Sequence, residues 1–158
     1  MVEPSAAERP VVDDGAPMRE FHRSLPMSLL RAREAVMDRF RPVLRAHGVT
    51  EQQWRVLRAL AATGPIDAGG LAEACCLLPP SLTRILRDLL GRRLIARHTS
   101  ARDQRVSEIT ITALGRELIA NVGPHSEHQY REIADRLGPG DLERLYALLE
   151  RLEQRLTD

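Results

Sequence analysis

Lysine and long apolar segments are both missing from this chain of 158 residues, whose 23 basic side chains are all arginines. No stretch approaches the ~20 consecutive apolar residues that a helix needs to cross a bilayer. The first 18 residues are acidic and contain several prolines, and they have none of the apolar core of a signal peptide. We therefore expect a cytoplasmic protein that does not bind membranes.

Cysteine is scarce as well, with only the adjacent pair Cys75 and Cys76. Adjacent cysteines do not make a disulfide framework, and they lack the separated pairs of a zinc ribbon. The sequence also has no Gly-rich phosphate loop, GxSxG elbow or HExxH motif, so we expect neither an enzyme nor a cofactor. One alternative stays open, a redox sensor that uses a cysteine, although a buried and inert Cys75 is the simpler interpretation.

The length and the 43% apolar content predict one domain that folds without disulfides or a structural metal. Residues 1–22 have no periodic apolar face, so we expect a flexible arm followed by a single domain at 23–158. Within that domain we place a winged helix at about 50–112 and dimerisation helices at about 24–48 and 112–157.

Helical periodicity and capping residues define the expected elements. Thr50-Glu51-Gln52-Gln53 matches a capping box, while Asp67 and Thr112 are candidate caps of later helices. We expect Pro42 to kink or restart the first helix, a bend near Gly123-Pro124, and a last helix from Asp141. That last helix carries leucines at alternating spacings of three and four, typical of a helix that needs a partner: Leu142, Leu145, Leu149, Leu152 and Leu156.

Charge is segregated along the chain, although the whole carries only +1. Residues 79–107 hold seven Arg against two Asp, a net charge of +5, whereas residues 126–158 hold five Arg against eight acids, a net charge of −3. Such clustering is typical of a surface that binds a polyanion.

The basic segment contains a short helix, a turn, a second helix and two short strands. The second helix, from Pro79-Pro80 to Gly91, has one apolar face and an opposite face of Ser, Thr and Arg that suits a DNA major groove. The seven residues between the strands, 99–105, form a polar loop that suits the minor groove. The fold class is therefore mainly α with a small β-hairpin: a winged helix-turn-helix lobe plus a helical dimerisation lobe.

Two motifs in this region are similar to those of MarR-family regulators. Residues 103–105 (DQR) and 109–115 (ITITALG) match the family's wing signature, and residues 80–86 (PSLTRIL) lie where its recognition helix begins. Residues 30–35, 40–42 and 49–56 resemble the branch that represses homoprotocatechuate and related aromatic-acid catabolism. Pro79 departs from this branch, in which a basic residue is expected.

The resemblance implies a homodimeric repressor that binds a palindromic double-stranded DNA operator. It assigns DNA contacts to Ser81, Thr83, Arg84, Arg87 and Arg105, with Asp103 holding Arg105 by an ion pair. Charge and position add Arg102 to this set. The alternative for the wing pair is a salt bridge that only stabilises the hairpin.

In this family, small aromatic carboxylates or phenols bind between the dimerisation helices and the winged helix. A guanidinium fork and a flat apolar wall would suit such an effector. The candidates here are Ser28, Arg31, Arg33, Phe40, Arg41, Trp54 and His125. Alternatively, Trp54 is a core residue and the arginines are solvated or paired with acids on their own helix.

Two further alternatives remain open. His125 and His128 have the spacing of metal ligands, although a solvated pair is the simpler interpretation, so we expect no metal. The leucine-bearing last helix could instead recruit another protein, which would make the winged helix a scaffold for protein interaction.

Overall fold

The structure, a computed structural model, describes residues 17–99 and 107–157. The chain divides into two compact units, Met1–Glu34 and Ala35–Asp158. The expected mainly helical fold with a small sheet is confirmed. Across the described ranges the elements are a 3-10 turn at Phe21–Arg23, then α1 (Leu25–Ala46), α2 (Glu51–Thr63), β1 (Ile66–Asp67), α3 (Ala68–Ala74), α4 (Pro79–Gly91), β2 (Ile95–Thr99), β3 (Ser107–Ile111), α5 (Ala113–Leu137) and α6 (Pro139–Thr157).

All three predicted helix caps are confirmed. In the capping box of α2, the Gln53 amide donates to the Thr50 hydroxyl at 3.2 Å, and the Thr50 amide donates to Gln53 Oε1 at 2.9 Å. Asp67 accepts from the Gly70 amide and caps α3. Thr112 accepts from the Gly115 amide and caps α5. Each cap satisfies amides that the first helical turn leaves unpaired.

The restart considered for the first helix and the start of the last helix differ from expectation. Pro42 and Pro124 lie inside continuous helices, so α1 does not restart at Pro42, while the kink at Pro42 and the bend near Gly123-Pro124 stay predictions. In α1 the turn after Pro42 buries Leu44, and this packing opposes the ~3 kcal/mol that an interior proline costs. The last helix begins at Pro139 rather than Asp141 because proline fits the first helical position, where its missing N–H is not needed.

The sheet has three antiparallel strands in the order β1-β3-β2. The predicted hairpin is β2 and β3, with Ile95 opposite Ile111 and Thr99 opposite Ser107. The additional strand β1 pairs Ile66 with Ile109. Its two residues were not predicted, because a strand this short shows no alternation of apolar and polar residues.

The core of the second unit is built mainly from the helix-turn-helix and the sheet. Leu57, Leu60, Leu71 and Leu89 are fully buried there, and the sheet contributes Ile109. By contrast, α6 packs on α5 with no buried residue among 140–157, the part whose burial the structure describes. Leu142 and Leu152 are partly buried, whereas its remaining predicted leucines are exposed: Leu145, Leu149 and Leu156. No helix in the described ranges has both the length and the apolar content for crossing a bilayer.

Candidate functional site

The fourth helix separates an apolar face from a polar one. Leu82, Ile85, Leu86 and Leu89 are buried against the core, which anchors the helix in the second unit. On the outer side Thr83, Arg84 and Arg87 are exposed, while Ser81 is half-buried. The four predicted DNA-contact residues of α4 therefore lie on one helix, with only Ser81 partly covered.

The outer side chains of α4 differ in what they already bind. The Thr83 hydroxyl donates to the Pro79 carbonyl oxygen at 3.0 Å, so a second partner would use its lone pairs or break this bond. Arg84 and Arg87 make no side-chain hydrogen bond or ion pair with any residue in the described ranges. Two guanidinium groups are thus available for phosphates or for guanine, which arginine binds through two donors.

A hydrogen bond from Gln53 of α2 holds α4 at Asp88. Gln53 Nε2 donates to Asp88 Oδ2 at 2.7 Å, while Gln53 Oε1 completes the α2 capping box. Arg92 lies 3.6 Å from the same Asp88 oxygen. One glutamine side chain therefore ties the start of α2 to the polar edge of α4.

A second network holds the turn before α4. Arg55 Nη1 donates to the Cys75 carbonyl oxygen at 2.8 Å, and Arg55 Nη2 lies 3.5 Å from Glu51 Oε1. The turn includes Cys76 in the left-handed region, with φ of 48°. Side chains other than glycine, asparagine and aspartate rarely adopt this conformation, so the Arg55 contact supports a strained turn.

The wing is described only in part. Its two strands β2 and β3 are formed, and Arg97 and His98 on β2 are exposed. Arg102, Asp103 and Arg105 lie outside the described residues, so their predicted DNA contacts stay predictions.

Two ring contacts of the second unit, between Phe40 and Tyr130 and between Trp54 and Arg58, are linked by the effect of the Arg58 charge on Tyr130, and these four side chains are called the aromatic cluster. The Phe40 and Tyr130 rings lie 4.9 Å apart between centroids, inclined at 59°. The Arg58 guanidinium carbon lies 5.8 Å from the Trp54 ring centroid, within the range of a cation–π contact. Partial burial raises the pKa of Tyr130, as does nearby Tyr146, whereas Arg58 lowers it.

This cluster supplies chemical groups that suit an aromatic carboxylate: flat rings, a phenol and an exposed cation. Phe40 and Trp54 belong to the predicted effector residues, whereas Arg58 and Tyr130 were not among them. Arg58 follows Trp54 by four residues on α2, a spacing that places both on one helix face, so the sequence did contain a signal for it. Tyr130 comes from α5, and its approach depends on tertiary packing.

The other predicted effector residues have different surroundings. In the first unit, Arg31 donates to the His22 carbonyl oxygen at 2.7 Å and to Ser28 Oγ at 3.5 Å, while Arg33 pairs with Glu34 at 2.7 Å. In the second unit, Arg41 pairs with Asp38 at 2.6 Å and with Glu51 at 3.3 Å, and it lies beside Leu44 and Val49. The His125 ring lies tilted against the His47 ring, with 5.5 Å between ring centroids.

The remaining candidates have little reactive character. Cys75 is buried, and this burial raises the pKa of its thiol although Arg55 opposes the shift. A raised pKa disfavours the thiolate, the reactive form in redox chemistry. His128 lies 3.6 Å from Glu132, and no group of three or more potential metal ligands occurs in the described ranges.

Comparisons with known proteins agree with this geometry. Residues 49–107 match the model of the MarR family. The HTH-type transcriptional regulator FarR of Neisseria gonorrhoeae is 38% identical over 89% of this chain and 99% of its own length. The homoprotocatechuate degradative operon repressor of Escherichia coli is 40% identical over 82% of this chain and 88% of its own.

A solved structure of NadR in complex with 4-hydroxyphenylacetate superposes with a TM-score of 0.75. It is 38% identical to this chain, and the match covers 87% of this chain and 97% of NadR. The likeness therefore includes both the helix-turn-helix and the flanking helices.

Proposed function

The chain belongs to the MarR family of DNA-binding transcriptional regulators, and from this premise we propose that it is a homodimeric repressor released by a small aromatic acid. The observation that carries the proposal is the outer face of α4, on which Arg84 and Arg87 are exposed and bind no residue in the described ranges. Their guanidinium groups suit base edges and phosphates in a major groove.

The proposed DNA target is palindromic. Two copies related by a twofold axis present two α4 helices, and half-sites one helical turn apart, about 34 Å, match such a pair. The exposed leucines of α6 support pairing of two copies, because water-exposed apolar side chains on a predicted dimerisation helix gain stability when covered.

DNA binding is tested with a duplex that the wild-type protein selects from a random library. We expect Arg87→Ala to weaken binding about tenfold, since one base or phosphate contact is worth ~1–3 kcal/mol. The matched control is Arg151→Ala, an exposed arginine on α6, which should bind like wild type. Fluorescence anisotropy at several salt concentrations measures both. If the two variants bind the duplex with equal affinity, the proposed contact between α4 and DNA is contradicted.

We propose the aromatic cluster as the effector site. Arg58 would pair with the carboxylate of the ligand, while Trp54 and Phe40 would contact its ring. NadR, 38% identical, was crystallised with 4-hydroxyphenylacetate, a ligand of this chemistry. As a mechanism, the effector would favour a spacing of the two α4 helices that no longer fits the operator. That shift requires the ligand to bind one state more tightly than the other.

The effector site is tested by titrating 4-hydroxyphenylacetate. Trp54 is the only tryptophan of the chain, so its fluorescence reports binding beside Arg58 directly. We expect Arg58→Gln to weaken binding about tenfold, because a hydrogen bond to a charged group contributes ~1.5–3 kcal/mol. Arg116→Gln, an exposed arginine on α5, is the control. Binding that is unchanged in Arg58→Gln would place the ligand elsewhere.

A further inference from the structure

A cavity of about 530 Å³ lies between α1, the start of α2 and α4, apart from the aromatic cluster. Its floor is apolar and consists of the buried side chains Leu44, Val49 and Ile85. None of the four residues of the aromatic cluster lines it. Protein pockets that hold small ligands measure about 300–1,000 Å³, so this cavity is large enough for one.

The two acidic side chains in the cavity wall are already neutralised. Glu51 accepts from Arg41 at 3.3 Å and lies 3.5 Å from Arg55. Asp88 accepts from Gln53 and lies 3.6 Å from Arg92. Both carboxylates therefore have cationic or amide partners, and they do not leave the wall with an uncompensated negative charge.

The two remaining arginines of the wall have no such partners. Arg45 on α1 and Arg84 on α4 are exposed, and neither makes a hydrogen bond or ion pair with another residue that the structure describes. The cavity thus combines an apolar floor with two available guanidinium groups on separate helices. This is the arrangement that binds an anion with an apolar body.

We propose that this cavity is a second small-molecule site, which takes a compact carboxylate with Arg45 and Arg84 as its anion ligands and the Leu44–Val49–Ile85 floor against its apolar part. Arg84 also belongs to the outer face of α4. A carboxylate bound here competes with DNA for that guanidinium, so occupancy weakens DNA binding directly. This coupling rests on the proposed DNA-binding role of Arg84, whereas ligand binding itself does not.

The test uses the full-length protein with Arg58→Gln, which removes the proposed carboxylate partner from the aromatic cluster, and phenylacetate as the probe. The methyl NMR signal of Ile85 reports on the cavity floor. We expect a saturable shift of this signal on addition of phenylacetate and none with the uncharged phenylacetamide. Adding Arg45→Gln should weaken the response about tenfold, as expected for loss of one charge-assisted hydrogen bond. Adding Arg39→Gln, on the same helix but outside the cavity wall, should leave it unchanged.

Several results would overturn the second site. These are an Ile85 signal that does not respond to phenylacetate, an equal response to phenylacetamide, or a response that Arg45→Gln leaves intact. The experiment contains no DNA, so it stands even if the proposed repressor function fails. Conversely, loss of the Ile85 response would leave the DNA-binding test with Arg87→Ala unaffected. The coupling is then measured separately, as a phenylacetate-dependent fall in the DNA affinity of Arg58→Gln that Arg45→Gln abolishes.

Discussion

At the scale of single residues, Gly115 is the described glycine at which an added Cβ makes the closest contacts. It lies in the first turn of α5, where its amide donates to the capping Thr112 at 3.1 Å. A Cβ at this position would meet the Leu94 carbonyl oxygen and lie 2.7 Å from Ile111 Cγ1. The helix start thus packs directly on the backbone just before β2, and only glycine permits this approach.

We predict that Gly115→Ala lowers the free energy of unfolding by about 1–3 kcal/mol, the usual cost of overpacking. The gain in helix propensity of up to ~1 kcal/mol is smaller than this clash, because the obstructing atom belongs to the backbone. Urea denaturation measures the change. Gly91→Ala is the control, since nothing lies within 4 Å of a Cβ built there. Equal stability of the two variants would show that the start of α5 moves to accommodate the added methyl group without loss of stability.

At the scale of elements, Gln53 couples α2 to α4 through both ends of its amide. Replacement by glutamate keeps an oxygen for the Thr50 amide but removes the donor to Asp88 and brings two carboxylates together. We predict that Gln53→Glu lowers the free energy of unfolding by about 1 kcal/mol, a typical hydrogen-bond contribution at a half-buried site.

Asp88→Asn in the same chain should recover most of this loss, because an asparagine amide donates to the new glutamate. A double-mutant cycle in urea isolates the pairwise energy. If the double variant is no more stable than the sum of the single changes predicts, Gln53 does not hold α4 in the manner described.

The elements also show what sequence could predict. The caps at Thr50, Asp67 and Thr112 followed from local chemistry, because each needs only the residue and the amides of the next turn. The buried face of α4 followed from apolar spacing. What escaped prediction depends on partners distant in the chain: β1 forms only because β3 offers it an edge, and Tyr130 joins the aromatic cluster through packing of α5. Continuity of α1 through Pro42 likewise depends on packing energies that a sequence pattern does not contain.

At the scale of the whole molecule, the proposed pairing of two copies depends on the exposed leucines of α6. Leu145 and Leu149 are 42% and 38% exposed, while none of the described side chains at 140–157 is buried in the core of its own chain. A charge on this face should therefore disturb pairing and leave the winged helix folded. We predict that Leu149→Arg yields a folded monomer at micromolar concentration, measured by analytical ultracentrifugation together with far-UV circular dichroism.

The matched control is Ala147→Arg, which adds the same charge on the opposite face of α6 and should leave the dimer intact. The DNA affinity of Leu149→Arg should fall more than tenfold, because one α4 helix then binds without the second copy that raises its effective concentration. A Leu149→Arg protein that remains dimeric, or a monomer that binds the selected duplex as tightly as wild type, would contradict a paired mode of DNA recognition. Loss of the dimer in Ala147→Arg alone would instead place the interface on the other face of α6.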